Sequence, residues 1–211
     1  MLVHPWDAAV EEEWQDWLYD GRDFGQFIAP GRDRDLPVVV PTHFLYDGDT
    51  TIRLHLARPN PVWVAVGERP RALLTVIGDY VYIPAAWNAE DDGTPEEGVP
   101  TSYYGTVQLA CDVRIIDDPA AKAEILNRQL VHFEPPESER LPVAADDRLL
   151  SGIRGLELTV TGVVAKFKVG GNRSPETRDR IADRLDRRRG PLDLSAREIM
   201  LRRGGSRPNT A

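Results

Sequence analysis

Along much of this chain apolar and polar residues alternate with a period of two, the mark of strands that bury one face. Rich in branched and aromatic residues, such stretches predict strands over Phe24 to Ala29, Pro37 to Tyr46, Thr51 to Ala57, Arg71 to Ile77, Tyr80 to Ala85, Tyr103 to Ile116 and Gly155 to Val169. Asp47-Gly48-Asp49 predicts a hairpin turn between the second and third. The helical period appears elsewhere. Val10, Trp14, Trp17 and Leu18 predict a helix over Asp7 to Tyr19, with glutamates near its positive end. Pro119 behind an Asp118 cap predicts a helix to Phe133, with Leu126, Leu130 and Phe133 as its apolar stripe. Ser174 and Pro175 open a further one. Trp87 to Gly98 and Glu134 to Asp147 read as exposed loops. The expected architecture is mainly β (α+β): an antiparallel barrel with peripheral helices forming one domain over 1–203, and a flexible tail over 204–211.

Composition narrows the class. With 211 residues, 41% hydrophobic and 28% charged, the chain has the make-up of a globular domain. No apolar run approaches the ~18 residues of a membrane span. The first residues turn acidic at once and lack the pattern of a secretory signal, so a cytoplasmic protein is expected. Cys111, the single cysteine, excludes an intramolecular disulfide and a thiolate metal cage. Net charge is -8, yet 173–207 holds eleven arginines against six acids. That segment reads either as a phosphate-binding surface or as a solvated helix face with pairs such as Asp179/Arg180, Asp183/Arg184 and Asp186/Arg187. The overall negative charge argues against nucleic acid.

Candidate chemistry comes from strand parity. In Thr51 to Ala57, His55 lies with Arg53 and Ala57 opposite Ile52, Leu54 and Leu56, so it leaves the core. From parity alone it is a surface residue or a ligand. Arg58 sits in the following turn, where a phosphate or carboxylate could bind. Lys166 and Lys168 share one side of the last strand before Gly170-Gly171-Asn172-Arg173, as a clamp for an anionic cofactor or as protection for an edge strand. The four histidines, His4, His43, His55 and His132, show no metal-binding spacing. Sequences of the G-x-S-x-G, Walker, H-E-x-x-H and G-x-G-x-x-G types are missing from the chain.

Several segments in order carry a resemblance: Pro41-Thr42-His43, His55 through Trp63, Tyr82-Ile83-Pro84-Ala85-Ala86-Trp87, Val99-Pro100-Thr101, Gly152 through Glu157, and Lys166-Phe167-Lys168. Together they resemble the PaiB-like FMN-binding negative transcriptional regulators over roughly residues 1 to 186. The resemblance implies an FMN-binding split barrel acting as a homodimer. Three departures stand out. Ser102-Tyr103 replace the family's usual Trp-Asn, Gln108 stands where a histidine is usual, and Gly170-Gly171 replace two polar residues. A flavin site relying on those polar groups is expected to weaken, and a bulkier planar cofactor to gain room.

The same departures resemble the haem-dependent piperazate synthases, a branch of that group. This implies haem b in place of FMN, with FMN the alternative, and cyclisation of N5-hydroxy-L-ornithine to L-piperazic acid with loss of water. On that resemblance His55 is expected to ligate the iron, with His43 as runner-up. Arg58, Lys166 and Lys168 are expected to meet the propionates, and Ser102, Tyr103 and Tyr104 to shape the substrate pocket.

Overall fold

The computed structural model describes residues 1–10, 12–89, 93–138 and 141–205. The strands form a seven-stranded sheet of order β2-β1-β5-β6-β7-β4-β3. Its elements fall into two compact units, residues 12–76 with 108–164, and residues 1–11 with 77–107 and 165–211. Strands β5 (Arg71–Ile83), β6 (Thr101–Ile116) and β7 (Ile153–Lys168) each contribute residues to both units.

The first of these units holds α1 (Glu13–Tyr19), β1 (Phe24–Ala29), β2 (Val38–His43), β3 (Leu45–Tyr46), β4 (Thr51–Ala57), α2 (Val62–Glu68) and α3 (Pro119–Phe133). β1 and β4 have the bounds that alternation predicts, and β4 buries Ile52, Leu54 and Leu56. β4 pairs antiparallel with β7. Gly48, with φ of 87°, turns the β3–β4 hairpin as expected. The α1 helix is shorter than predicted, and Asp7 lies outside it in a turn closed by its amide on His4 O. In α3, Asp118 caps Ala121 N as the sequence predicts. The buried face, however, is Lys122, Ala123, Ile125 and Gln129 rather than Leu126, Leu130 and Phe133. Two polar side chains can be buried there because both are bonded. Lys122 Nζ donates to Leu150 O at 2.5 Å, and Gln129 meets His55.

The other unit combines the N-terminal segment with the outer parts of the long strands, α4 (Pro175–Arg188) and α5 (Asp193–Gly205). Ser174 caps α4 by accepting from Thr177 N, with Pro175 as first helical residue, as expected. The two strands predicted over 71–85 are one. Asp79 adopts φ of 55° within it, and its buried carboxylate accepts from Ser195 Oγ of α5, so the chain bends there without leaving the sheet. Trp87 to Gly98 is not simply an exposed loop, since Asn88 is buried and donates to Val99 O at 2.6 Å. Residues 90–92 of it, and 139–140 of the loop from Glu134, lie outside the described residues. So does most of the expected tail, and Gly204 and Gly205 close α5.

Three arginines of α4 lie against the chain between Tyr82 and Ala89. Arg180, Arg184 and Arg188, one turn apart, donate to the carbonyls of Ala89, Ala86 and Tyr82 at 2.8, 2.9 and 2.9 Å. Arg184 and Arg188 also lie over the Trp87 ring, at 5.8 and 4.9 Å from its centroid. Asp186 pairs with Arg189 and not with Arg187 as anticipated, and Arg188 pairs with the buried Asp193 at 2.6 Å. No helix among the described residues is long and apolar enough to cross a membrane.

Candidate functional site

Strand parity places the expected residues. His55 is half-buried on the β4 face that also carries Arg53. Its register partner on β7 is Gly155, and residues directly opposite in an antiparallel pair share a face. A Cβ on Gly155 would come within 2.8 Å of Ile125 Cδ1 and 3.0 Å of Ile116 Cβ, so the missing side chain lets α3 lie close to the sheet. One helical turn beyond Ile125, Gln129 then reaches the imidazole, its Oε1 2.6 Å from His55 Nδ1. A carbonyl oxygen only accepts, so Nδ1 carries the proton and Nε2 the lone pair. Burial holds the His55 pKa below its ordinary value; the Gln129 bond pushes it up, and nearby His43 pushes it down further. The ring is therefore neutral near pH 7. Neutral imidazole with one nitrogen anchored is the form that binds metals.

His43, separate from His55 in sequence, comes to it edge-on, with ring centroids 5.7 Å apart, and Phe133 packs on His43 at 4.9 Å. The other two histidines are engaged elsewhere: His4 stacks on Trp6 at 4.7 Å and His132 Nε2 meets Asp23 at 2.9 Å. Among the described residues no three His, Cys, Asp or Glu side chains gather as metal ligands. A haem iron needs a single protein ligand in sites of the globin type, and His55 fits that requirement.

The expected anion clamp fits less well. Arg58 Nε donates to Ser151 O at 2.7 Å, with Asp117 at 3.7 Å, so it staples the turn before β7. Lys166 is buried, donates to Leu2 O at 3.0 Å and stands 3.8 Å from the buried Asp7 carboxylate. Burial pushes the Asp7 pKa up, and Lys166 only partly offsets this. Lys168 is half-buried and donates to Thr101 Oγ1 at 2.7 Å. The three cations expected at propionates thus hold protein groups here, and Lys168 is the one bonded to a side chain on the motif Val99-Pro100-Thr101.

Ser102, Tyr103 and Tyr104 do not share a face. Ser102 and Tyr104 are half-buried on one side of β6, and the Tyr104 ring lies 5.8 Å from Lys166 Nζ. Tyr103 points to the opposite side and is 2% exposed. The same parity was readable in the sequence. Gly170 has φ of 77°, and a Cβ there would sit 2.5 Å from Tyr103 Oη. A Cβ on Gly171 would sit 2.3 Å from Trp6 O. The glycine pair therefore leaves no extra room for a larger cofactor; a tyrosine ring and the N-terminal backbone occupy that space. This corrects the expectation drawn from the sequence.

Of the expected residues, the structure groups Lys166, Lys168, Ser102 and Tyr104 around one strand face of one unit, and His55 with Arg58 in the other. Gln129 was missed, because a polar residue interrupting an apolar helix face carries no motif.

Comparison with known proteins agrees with this topology. The flavocytochrome Anf3 from Azotobacter vinelandii superposes with a TM-score of 0.59 at 24% identity, over 78% of this chain and 71% of that one. An FAD and heme binding protein from Mycobacterium smegmatis gives 0.59 at 21% identity, over 78% and 74%. The chain is 22% identical to the protease synthase and sporulation protein PAI 2 of Bacillus subtilis (strain 168), over 90% of its length and 91% of that protein's. Residues 2–162 match the family described as "Putative FMN-binding domain". The fold is that of the flavin-binding split barrels, and the chain belongs to the family described as "Putative FMN-binding domain".

Proposed function

We propose that this family member binds haem b through His55 and cyclises N5-hydroxy-L-ornithine to L-piperazic acid. The observation that carries the reading is the 2.6 Å contact between Gln129 Oε1 and His55 Nδ1, which presents Nε2 as the basic nitrogen. Haem on this fold has precedent in the flavocytochrome Anf3 and in the mycobacterial FAD and heme binding protein.

In the proposed reaction the α-amine nitrogen bonds to N5 while the N5–O bond breaks. Oxygen leaves as water, and no net oxidation occurs. When bound, a haem iron with one open face supplies Lewis acidity toward the N–O group. The chain's part is placement and proton supply. Tyr104 is offered as donor to the departing oxygen and Ser102 as an orienting hydroxyl; Tyr103, turned the other way, packs. Holding amine and N5 together is worth effective molarities of ~10⁵ to 10⁸ M in favourable cases. Lys168 is proposed to exchange its Thr101 bond for a cofactor carboxylate.

A homodimer belongs to the same reading. In the single chain the mid-strand residues Val163 and Val164 are 37% and 43% exposed and Ile77 is 68% exposed, apolar surface that a second copy would cover.

The second reading is an FMN-binding relative, favoured by the family match over 2–162. Titrating the purified protein with hemin and with FMN in parallel separates the two. A Soret band that changes in His55→Ala, together with turnover of N5-hydroxy-L-ornithine, is expected. Stable flavin absorption, no His55-dependent haem band and no cyclised product would replace haem by FMN.

A further inference from the structure

We infer that Gln129 is a positioning residue that fixes His55 as its Nδ1–H tautomer and thereby leaves Nε2 as the basic nitrogen; its use toward iron rests on the reading of His55 as haem ligand.

Three observations converge. Gln129 is 4% exposed, and its amide oxygen lies 2.6 Å from His55 Nδ1. With the oxygen on that side, the ring nitrogen must donate. The reversed amide would donate instead, put the proton on Nε2 and remove the lone pair that a metal needs. The second observation is what the glutamine leaves undone: its Nε2 is buried with no hydrogen-bond partner among the described residues. A buried amide with stranded donors is a poor choice for stability alone, where an apolar side chain of equal size would serve. The third is the setting. Gly155, opposite His55 in register, admits α3 at close range, and the His43 ring, held edge-on by Phe133, limits rotation of the imidazole. The helix approach, the ring stop and the amide all act on one tautomer.

The residue type is then specific. Methionine keeps the volume but expresses no tautomer preference. Glutamate still accepts from Nδ1, and more strongly, giving the ring imidazolate character that favours ferric iron.

The test compares the parent with Gln129→Met and Gln129→Glu. In the cofactor-free proteins, long-range ¹⁵N–¹H NMR of His55 at a pH where imidazole is neutral is expected to show Nδ1–H in the parent and in the glutamate variant, and a mixture of tautomers in the methionine variant. Thermal melting of the methionine variant is expected at or above the parent. In hemin-loaded proteins, transfer to a haem scavenger should be about 10- to 100-fold easier from the methionine variant, the usual scale for losing such a partner. The glutamate variant should retain haem with a lowered reduction potential. An unchanged Nδ1–H tautomer in the methionine variant would overturn the proposal. So would haem loss accompanied by a lower melting temperature, which marks a merely structural residue. If the tautomer follows residue 129 while no protein binds hemin, the tautomer assignment stands and the haem reading fails.

Discussion

Gly170→Ala is the substitution whose cost the structure sets most directly. An L-residue in the left-handed region loses about 1–2 kcal/mol, and Gly170 sits at φ of 77°. The added Cβ would also lie 2.5 Å from Tyr103 Oη and 3.0 Å from Cζ, inside any normal contact. Tyr103 is 2% exposed, so its ring cannot swing into solvent, and overpacking of this kind costs about 1–3 kcal/mol. The sum is about 2–5 kcal/mol, which for a protein of this size lowers Tm by about 4–20 °C. Tyr103→Phe removes only the nearest atom, so in the double variant the steric part should shrink while the backbone part stays. A coupling energy of about 0.5–3 kcal/mol is expected from a double-mutant cycle followed by urea denaturation. Strict additivity, within about 0.5 kcal/mol, would refute the contact; a neutral Gly170→Ala would refute the backbone conformation as well.

The remaining predictions are briefer. Gly155→Ala should drive Ile125 and α3 off the sheet at a cost of about 1–3 kcal/mol, measurable by denaturation, and should loosen the His55–Gln129 bond as seen by NMR. Arg188 holds the Asp193 carboxyl below the ordinary carboxylate range, so the pair stabilises fully above that range and the effect is lost as pH falls through the lowered folded-state value. Asp193→Asn should therefore cost about 1.5–3 kcal/mol at neutral pH, with a gap that closes in acid; a gap independent of pH would count against the pair. Burial pushes the Cys111 thiol up to about 12, so a maleimide should label it at neutral pH only after denaturation, and rapid labelling of the native chain would contradict its placement.

Much of this could be read from the residues, for identifiable reasons. Parity fixed the orientation of His55 because β4 is short, regular and buried on one side. It failed for 71–85, where Gly78-Asp79 reads as a turn although the chain bends in place, held by a bond to Ser195, 116 residues away. The face of α3 was misread because hydropathy ranks Leu126 above Lys122 and Gln129; what buries the latter two is hydrogen bonding to partners that only the fold supplies. Arg58 and Lys166 illustrate the converse. Their charge suggested an anion, whereas the acceptors they meet are backbone carbonyls of residues distant in sequence, Ser151 and Leu2.

The arginine ladder of α4 bears on where this protein may be divided. The match to the FMN-binding domain family ends at residue 162, but the carbonyls of Tyr82, Ala86 and Ala89, inside the matched stretch, are held by Arg188, Arg184 and Arg180, outside it. A fragment cut at residue 162 would strip Trp87 of both guanidinium covers and leave those carbonyls to water. The stretch matched to the domain family and the length of chain that holds Tyr82 to Ala89 in place are thus different, and a self-supporting fragment has to include α4.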